Sequence, residues 1–335
     1  MKKLFLFALL AALCCSCTES NTDENTDPNG GSNSGQTTPP DPDSDAKDVI
    51  HVPEGGMLAG ILNELGLKEP LSLKLSGTLN IFDFMTIRTT PSLEHLDISR
   101  VNLSVLPEQV FSGCTNIKSL ILPNTLTAIK SYALSKTLLV SISIPASVET
   151  IEEYAFEGCE ALTSIEIPAS VEKIGELAFY GCTSLHTVTF EKGSKLKTIG
   201  SDVFLNCTSL TMIEIPASVE TIEDQAFEGC SLLATVTFEK GSQLKTVDGF
   251  SNCTALTTVD MSACTQVTRI EYRAFYEDSK LQLFKIGTRT PPSCGRNVFT
   301  GINSYSVLKV PAGCVDAYKN ATGWKEFTTI SELDE

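Results

Sequence analysis

The chain has 335 residues, a formal net charge of −16 and a sequence pI of about 4.7. A balance this acidic disfavours nucleic acid as a partner, because proteins hold the phosphate backbone with clustered lysine and arginine. After the first 17 residues no stretch is apolar and long enough to span a bilayer, which takes about 20 residues.

The stretch 1–17, MKKLFLFALLAALCCSC, predicts a secretory signal, with two lysines, a short apolar run and then small residues. Its end resembles the lipobox of bacterial lipoproteins, in which a small residue precedes the cysteine that receives the lipid. Cys17 fits best because Ser16 precedes it, while Cys15 and an ordinary cleaved signal stay as alternatives. The resemblance implies an exported outer-membrane lipoprotein, displayed at the cell surface and held to the membrane by its N-terminal lipid.

Residues 18–49 consist largely of acidic, polar, glycine and proline residues and contain no aromatic residue. Such a segment cannot bury enough apolar surface to offset the entropy lost on ordering, so it is predicted to be a disordered acidic tether. Residues 50–92 then predict an N-terminal cap that alternates strand, helix, strand and helix, with the first helix at MLAGILNEL and the second strand at LSLKL.

From residue 93 the sequence repeats itself. IEIPASVE occurs at 165–172 and 213–220, and TVTFEKGS occurs at 187–194 and 235–242. Alignment around these phrases gives a unit of 22 to 25 residues, L-x-x-I-x-I-P-x-S-V-x-x-I-x-x-x-A-F-x-G-C-x-x. The units begin at Leu93, Ile117, Leu139, Leu162, Leu185, Leu210, Leu233, Leu256 and Leu281.

A period of about 20 to 29 residues with an L-x-x-L-x-L core is typical of leucine-rich repeats. The predicted fold class is therefore an α/β-type repeat solenoid, a right-handed leucine-rich-repeat coil with a parallel, strand-lined face over 93–304. It lies between the N-terminal α+β cap and a C-terminal closing segment, 305–335. One unit cannot bury its own apolar face, so stability comes from stacking.

Two columns of equivalent residues set the register of the stack. The phenylalanine column contains Phe156, Phe179, Phe204, Phe227 and Phe250, and the cysteine column contains Cys159, Cys182, Cys207, Cys230 and Cys253. Cysteines at one repeated packing position are predicted to be free, buried thiols that behave as small hydrophobes. A disulfide among Cys264, Cys294 and Cys314, which lie off the column, stays open.

The recurring pattern IPxSVxxIxxxAFxGCxxL resembles the BspA-type leucine-rich repeat of bacterial surface proteins. GTLNIFDFMTIRTTPSLEHLDIS and LKVPAGCVDAYKNATGWKEFTTI resemble the caps of Bacteroidetes members. The resemblance implies surface display and binding of host extracellular proteins or bacterial surface proteins. It carries over no defined site.

The sequence predicts no catalytic, cofactor-binding or metal site. The histidines, His51, His95 and His186, are scattered, whereas nucleophilic catalysis needs a nucleophile and its base in contact. No C-x-x-C occurs outside the signal, which disfavours a zinc ribbon, and no phosphate-binding loop is present. The chain is predicted to be non-enzymatic, free of cofactors and monomeric.

The predicted ligand face consists of the outward side chains of the strands, because the period of two in a strand puts alternate residues on one side. Its first column is Ser141, Ser164, Thr187, Met212, Thr235 and Thr258, extended by His95, Ser119 and Leu283. Its second column is Ser143, Glu166, Thr189, Glu214, Thr237 and Asp260, extended by Asp97, Ile121 and Lys285. This face is rich in hydroxyls, weakly acidic and free of aromatic rings.

The favoured function is a non-enzymatic binding or adhesion protein at the cell surface. The acids of the face predict a protein ligand with basic patches, whose binding weakens with salt. A glycan-binding or glycan-processing envelope lipoprotein is the alternative, disfavoured because Phe190 and Phe238 fall at inward positions and leave no ring for sugar stacking. A spacer without its own ligand is the third interpretation.

Overall fold

The computed structural model of the chain describes residues 48–334. The signal with Cys17 and the tether up to residue 47 lie outside the described residues, so the predictions made for them stay predictions. Within residues 48–334, no helix is both long and apolar enough to cross a membrane.

The described chain consists of short parallel strands, with helices only near its two ends. The helices are α1 (Leu58–Glu64), α2 (Ile81–Arg88), α3 (Val315–Asn320) and a 3₁₀ turn (Trp324–Glu326). The first strands are β1 (Val49–Val52), β2 (Ser72–Gly77), β3 (His95–Val101), β4 (Val105–Leu106), β5 (Ser119–Ile121), β6 (Ala128–Ile129), β7 (Thr150–Ile151), β8 (Ser164–Ile167), β9 (Lys173–Ile174) and β10 (Thr187–Phe190). The remaining strands are β11 (Thr198–Ile199), β12 (Met212–Ile215), β13 (Thr221–Ile222), β14 (Thr235–Phe238), β15 (Thr246–Val247), β16 (Thr258–Met261), β17 (Arg269–Ile270), β18 (Leu283–Ile286), β19 (Ser293–Cys294), β20 (Val307–Val310) and β21 (Thr329–Glu332).

The longer strands stack in parallel along one side of the solenoid, which confirms the predicted fold class. They form two sheets, one in the order β1-β2-β3-β5 and one running from β8 through β10, β12, β14, β16, β18 and β20 to β21. Alternate residues point inward, as in β8, where Ile165 and Ile167 are buried and Ser164 and Glu166 are accessible. The prolines of the I-P phrase end the strands, because proline has no N–H to donate to the ladder.

A second side of each coil carries two-residue strands that the sequence analysis did not predict. These pair into the orders β4-β6-β7-β9 and β11-β13-β15-β17-β19. In the consensus units each of these strands is the last two residues of the S-V-x-x-I phrase, whose isoleucine is buried, as Ile151 and Ile222 show. The A-F-x-G-C half then forms turns that return the chain to the next long strand.

The phenylalanine column forms the centre of the core. Successive rings from Phe156 to Phe275 stack with centroids 4.9 to 5.4 Å apart and planes within 14° of parallel. This separation follows from the rise of one coil, since paired strands are about 4.8 Å apart. Burial of each ring contributes about 1.5–3 kcal/mol and its stacking about 0.5–1.5 kcal/mol more. Leu134 interrupts the ring stack between Phe111 and Phe156.

Both ends of the stack are closed by residues outside the repeat. Asp83 in α2 accepts the Asn80 N–H at 2.8 Å, the Gly56 N–H at 2.6 Å and the Leu58 N–H at 2.9 Å, which ties α1 to α2. At the other end the indole N–H of Trp324 donates to the Pro292 carbonyl at 3.0 Å, and its fully buried ring packs against the last phenylalanines. Cap packing is thus the role of this tryptophan.

Candidate binding face

The strand face, defined as the outward side chains of the long strands, has the register that the repeat alignment predicts. Ser164 pairs with Thr187, Thr187 with Met212, and the series continues through Thr235 and Thr258. In the second column Glu166 pairs with Thr189, Glu214 with Thr237, and Thr237 with Asp260. The first column is therefore a continuous row of accessible side chains from Ser164 to Thr258, whereas in the second column no strand pairing joins Thr189 to Glu214.

Negative charge on the strand face is concentrated in its middle. Glu166 and Glu214 are exposed and have no ion-pair partner among the residues that the structure describes. Asp260 is different, because Lys285 donates to it at 2.8 Å and the Ser262 hydroxyl at 2.6 Å. Partial burial opposes ionisation of Asp260, but these hydrogen bonds outweigh it and hold its pKa below the usual value. Asp260 is therefore a neutralised position rather than an acidic one.

The strand ladder is interrupted at residues 139–144, here called the interrupted rung. Ser141 and Ser143 point outward and Ile142 and Ile144 inward, as in every other unit, yet this segment forms no strand. The two sheets of the strand face consequently end on either side of it, at β5 and at β8. In the described chain the Val140 carbonyl, which accepts the Thr163 N–H at 3.0 Å, makes the only backbone bond between 140–144 and a neighbouring coil.

A groove opens at the interrupted rung. It has a volume of about 550 Å³, and its lining includes Asn124, Ser141, Ser143, Ser164, Glu166, Pro168 and Glu191. A second cavity of about 150 Å³ adjoins it and includes Ile121. The side chains of Ile121 and Val140, 51% and 53% exposed, add apolar surface beside the carboxylates.

A shortened connection leads into the interrupted rung. In the other units five residues lie between the phenylalanine and the residue that starts the next unit, as between Phe156 and Leu162 or Phe179 and Leu185. Between Leu134 and Leu139 there are only four. The chain thus reaches the strand face one residue early, and here the outer ladder is lost while the inner pair β6-β7 is kept. This one-residue deletion is the sequence signal that could have located the groove.

The cysteine column forms a hydrogen-bonded ladder rather than a metal or redox site. From Cys182 to Cys253 each thiol donates to the carbonyl of the phenylalanine one coil back, as Cys207 does to Phe179 at 3.3 Å and Cys230 to Phe204 at 3.3 Å. Cys159 donates to the Leu134 carbonyl at 3.0 Å in the same way. All nine cysteines of the described residues are free thiols, including Cys264, Cys294 and Cys314. Burial raises the pKa of the Cys230 thiol to about 12, so the unreactive protonated form is maintained.

Asp278 occupies the position of the cysteine in its unit, three residues after Phe275. It is fully buried, and one of its oxygens accepts the Cys253 N–H at 2.9 Å. The other oxygen has no hydrogen-bond partner in the described chain. Burial raises the pKa of this carboxyl well above its ordinary value, because ionisation in the core is unfavourable. Asp278 thus places a carboxyl that favours its neutral form where the other units have a thiol.

The structure brings no catalytic constellation together. His51 lies in β1, where its ring is 3.1 Å from the Ser76 hydroxyl, while His95 begins β3 and His186 precedes β10. Across residues 48–334 no group of three or more His, Cys, Asp or Glu side chains is arranged to hold a metal ion. The chemical content of the strand face is hydroxyl groups, two unpaired carboxylates and the groove.

Aromatic side chains occur on the turn-lined side, opposite to the strand face, and the sequence analysis missed them. Tyr132 and Tyr154 stack there with centroids 4.6 Å apart, and Arg273 lies over the rings of Tyr272 and Tyr276. The signal was present in the sequence, because these tyrosines lie in the turns, within two residues of the A-F pair or of its A-L equivalent at Ala133.

The chain matches the family described as BspA type Leucine rich repeat region, in six copies within 84–211, 149–282 and 197–322. These stretches overlap and together span more than half of the chain. Among curated proteins no significant match is found.

Solved structures with similarity to the chain include several bacterial leucine-rich repeat proteins. One from Bacteroides ovatus is 17% identical, with 78% of this chain and 88% of that chain covered at a TM-score of 0.37. The T. pallidum leucine rich repeat protein is 23% identical, with 76% and 85% covered at a TM-score of 0.40. A leucine rich cell surface protein from Faecalibacterium prausnitzii is 18% identical, with 78% and 80% covered at a TM-score of 0.34.

Proposed function

The chain belongs to the BspA-type leucine-rich repeat family, and we propose that it is a cell-surface protein that binds a protein ligand through its strand face. Solenoids of stacked repeats present extended surfaces to partners. Here that surface is an ordered array of hydroxyls with two unpaired carboxylates, Glu166 and Glu214. Such an array offers adaptable hydrogen bonds and attracts basic side chains.

The groove at the interrupted rung is the observation that carries this proposal. Over most of the strand face the backbone is paired into ladders, so a ligand meets mainly side chains there. At Ser141–Ile144 a ligand also meets backbone groups outside a ladder, together with Glu166 and Glu191. An extended segment of a partner protein with a lysine or arginine satisfies both kinds of group. We place the centre of the ligand site there.

The test begins with a binding assay of the full-length protein on a panel of immobilised extracellular-matrix proteins, mucins and polysaccharides. This assay identifies the ligand. The double variant Glu166→Lys with Glu214→Lys is expected to weaken binding to the selected protein by about tenfold or more, a loss of about 1.4 kcal/mol. Raising the salt concentration from 0.1 to 1 M is expected to weaken ligand binding by the natural protein as well, because the screening length falls from about 10 to about 3 Å.

The matched control reverses two exposed acids on the turn-lined side, Glu153→Lys with Glu176→Lys. Glu153 and Glu176 lie in neighbouring coils, whereas Glu166 and Glu214 lie two coils apart, and both double variants change the net charge by the same amount. The control is expected to bind as the natural protein does, with both double variants folded by circular dichroism. An equal loss of binding in both double variants would show that the ligand site is not on the strand face. Unchanged binding in both would show the same.

Display at the cell surface is the second part of the proposal, with a lipid on Cys17 of the signal. One acyl chain gives only reversible membrane binding, so several chains are needed for stable anchoring. In a native host Cys17→Ser is expected to release the protein from membranes and to remove the lipid from its intact mass. A Cys17→Ser protein that still carries lipid would move the anchor to Cys15.

A further inference from the structure

A notch interrupts the turn-lined side of the solenoid between Gln225 and Tyr272. In the other units of the regular array four residues lie between the buried isoleucine and the phenylalanine, as between Ile222 and Phe227 or Ile270 and Phe275. In this unit only two residues, Asp248 and Gly249, lie between Val247 and Phe250. The turn has lost two residues, and a cavity of about 280 Å³ stands in their place.

The shortened turn is fixed firmly to both neighbouring coils. The Gly249 carbonyl accepts the Phe227 N–H at 2.7 Å, and the Phe250 N–H donates to the Ala274 carbonyl at 2.9 Å. Gly249 has φ of 84°, and a Cβ atom there would lie 2.5 Å from the Ala226 nitrogen. The floor of the notch is therefore a preformed surface that only glycine allows.

The notch leaves backbone groups without their usual partners. In regular turns the N–H of the left-handed residue donates to the next coil, as from Asp202 to Asp224 at 3.1 Å and from Arg273 to Arg296 at 3.1 Å. Among the described residues, the Gln225 N–H has no such acceptor and the Tyr272 carbonyl has no such donor. Both residues line the cavity, which thus offers one unused donor and one unused acceptor from the backbone.

Side chains add further hydrogen-bonding groups and aromatic faces. Asp248 is 9% exposed, and the one hydrogen bond it accepts comes from the adjacent Gly249 N–H at 2.7 Å, which leaves its second oxygen to the notch. The Arg273 guanidinium lies 4.9 Å from the Tyr272 ring centre and 4.7 Å from that of Tyr276, so it is held in place. Tyr272 is 51% exposed, which leaves ring surface for stacking.

We propose that this notch binds a sugar residue of a glycan. Donors and acceptors are mixed around it, and sugar hydroxyls both donate and accept. The tyrosine rings suit the apolar C–H faces of a pyranose. Its volume lies near the lower end of small-molecule sites, about 300 Å³, which fits one sugar unit rather than a larger ligand. The notch lies on the turn-lined side, so this site is separate from the proposed protein site on the strand face.

A simple organic cation fits the notch less well than a sugar. The carboxylates of Asp224, Glu228 and Asp248 would attract an ammonium group. Arg273 and the Gln225 N–H, however, would face the same ligand with donors for which an ammonium has no acceptor. A neutral polyol satisfies both sets of groups.

Binding is expected to weaken in mild acid. Burial raises the pKa of Asp248 to about 6, although the hydrogen bond from the Gly249 N–H acts in the opposite direction and lowers it. Charges from both neighbouring coils act on it too: Asp224 and Glu228 precede it, and Glu271 follows. Arg273 is the cation beside the notch. A sugar hydroxyl that donates to the Asp248 carboxylate loses that bond as pH falls below about 6, so affinity should be higher at pH 7.5 than at pH 5.

Saturation-transfer-difference NMR tests the proposal on the full-length protein with the methyl glycosides of glucose, galactose, mannose and N-acetylglucosamine, and with n-butylamine. At least one glycoside is expected to bind, and n-butylamine is not. Tyr276→Ala should lower the affinity about tenfold, because the variant loses one stacking contact with the sugar and the ring that holds Arg273 in place. Tyr180→Ala, the same turn position in a regular unit, is the matched control and should change nothing.

A second variant fills the notch. Replacing Asp248–Gly249 with the four residues found at 223–226 restores the turn length of the preceding coil, so the fold should be kept and glycoside binding lost. No glycoside signal from the natural protein would overturn the proposal, as would binding of n-butylamine alone. A glycoside signal that survives both Tyr276→Ala and the restored turn would overturn it as well.

Discussion

Two regions of this solenoid use the same repeat and differ in regularity. Over 162–286 the long strands form one continuous sheet and the phenylalanine rings stack without a break. Over 93–144 the outer ladder stops at the interrupted rung, Leu134 replaces a ring, and Thr137 occupies the cysteine position. Consensus residues thus produce a uniform scaffold, and small deletions produce cavities. The groove follows the loss of one residue and the notch the loss of two.

The largest expected effect contrasts the two regions through their cores. Phe204→Ala removes a ring that stacks on Phe179 and on Phe227, and should lower the free energy of unfolding by about 3–5 kcal/mol. Leu134→Ala, at the equivalent position outside the ring stack, should cost less, near the lower end of about 2–5 kcal/mol. Urea denaturation of both variants checks this. A larger loss for Leu134→Ala would show that the ring stack adds nothing.

The second prediction concerns Asp278 at the end of the cysteine column. Its folded-state pKa is raised by burial, so the native state holds a proton that the unfolded chain releases above about pH 4. The contribution of protonated Asp278 to the free energy of unfolding is therefore at its maximum below the pKa of Asp278 in the unfolded chain. As pH rises toward the pKa in the folded protein, this contribution falls by up to about 1.4 kcal/mol per pH unit.

Asp278→Asn keeps an acceptor for the Cys253 N–H and cannot ionise. The variant should be more stable than the natural protein at pH 7.5 and nearly equal to it at pH 4. Urea midpoints at these two pH values measure the difference, with exposed Asp224→Asn as the control. A variant that is less stable at both pH values would show that the carboxyl is not a buried proton carrier.

The third prediction concerns rates of thiol modification. Cys182, Cys207, Cys230 and Cys253 are fully buried in the regular region, and burial raises the pKa of Cys207, Cys230 and Cys253. They should react with a thiol reagent only as fast as the solenoid opens, whereas partly exposed Cys294 should react first. Mass spectrometry after timed labelling identifies each site. Rapid labelling of Cys207 in the folded protein would contradict the buried ladder.

The sequence was sufficient for the features that every unit shares. The repeat length, the inward isoleucines and the facing columns such as Thr187 beside Met212 follow from one pattern repeated many times. It was insufficient where a unit departs from the pattern. Whether Ser141–Ile144 pairs depends on how a connection one residue shorter meets its neighbours, and residue identities alone do not contain that information. The neutralisation of Asp260 by Lys285 likewise depends on cross-coil register and side-chain reach.

The interrupted rung is the feature on which the proposed ligand site depends, and hydrogen–deuterium exchange tests it most directly. In the full-length protein the amides of Ile142–Ile144 are compared with those of Val236–Phe238, the same positions in the interior strand β14. The structure predicts exchange at 142–144 faster by more than about tenfold, because these amides lie outside a ladder while β14 is paired with a strand on each side. Equal protection of the two segments would mean that the ladder is continuous and would remove the physical basis of the groove.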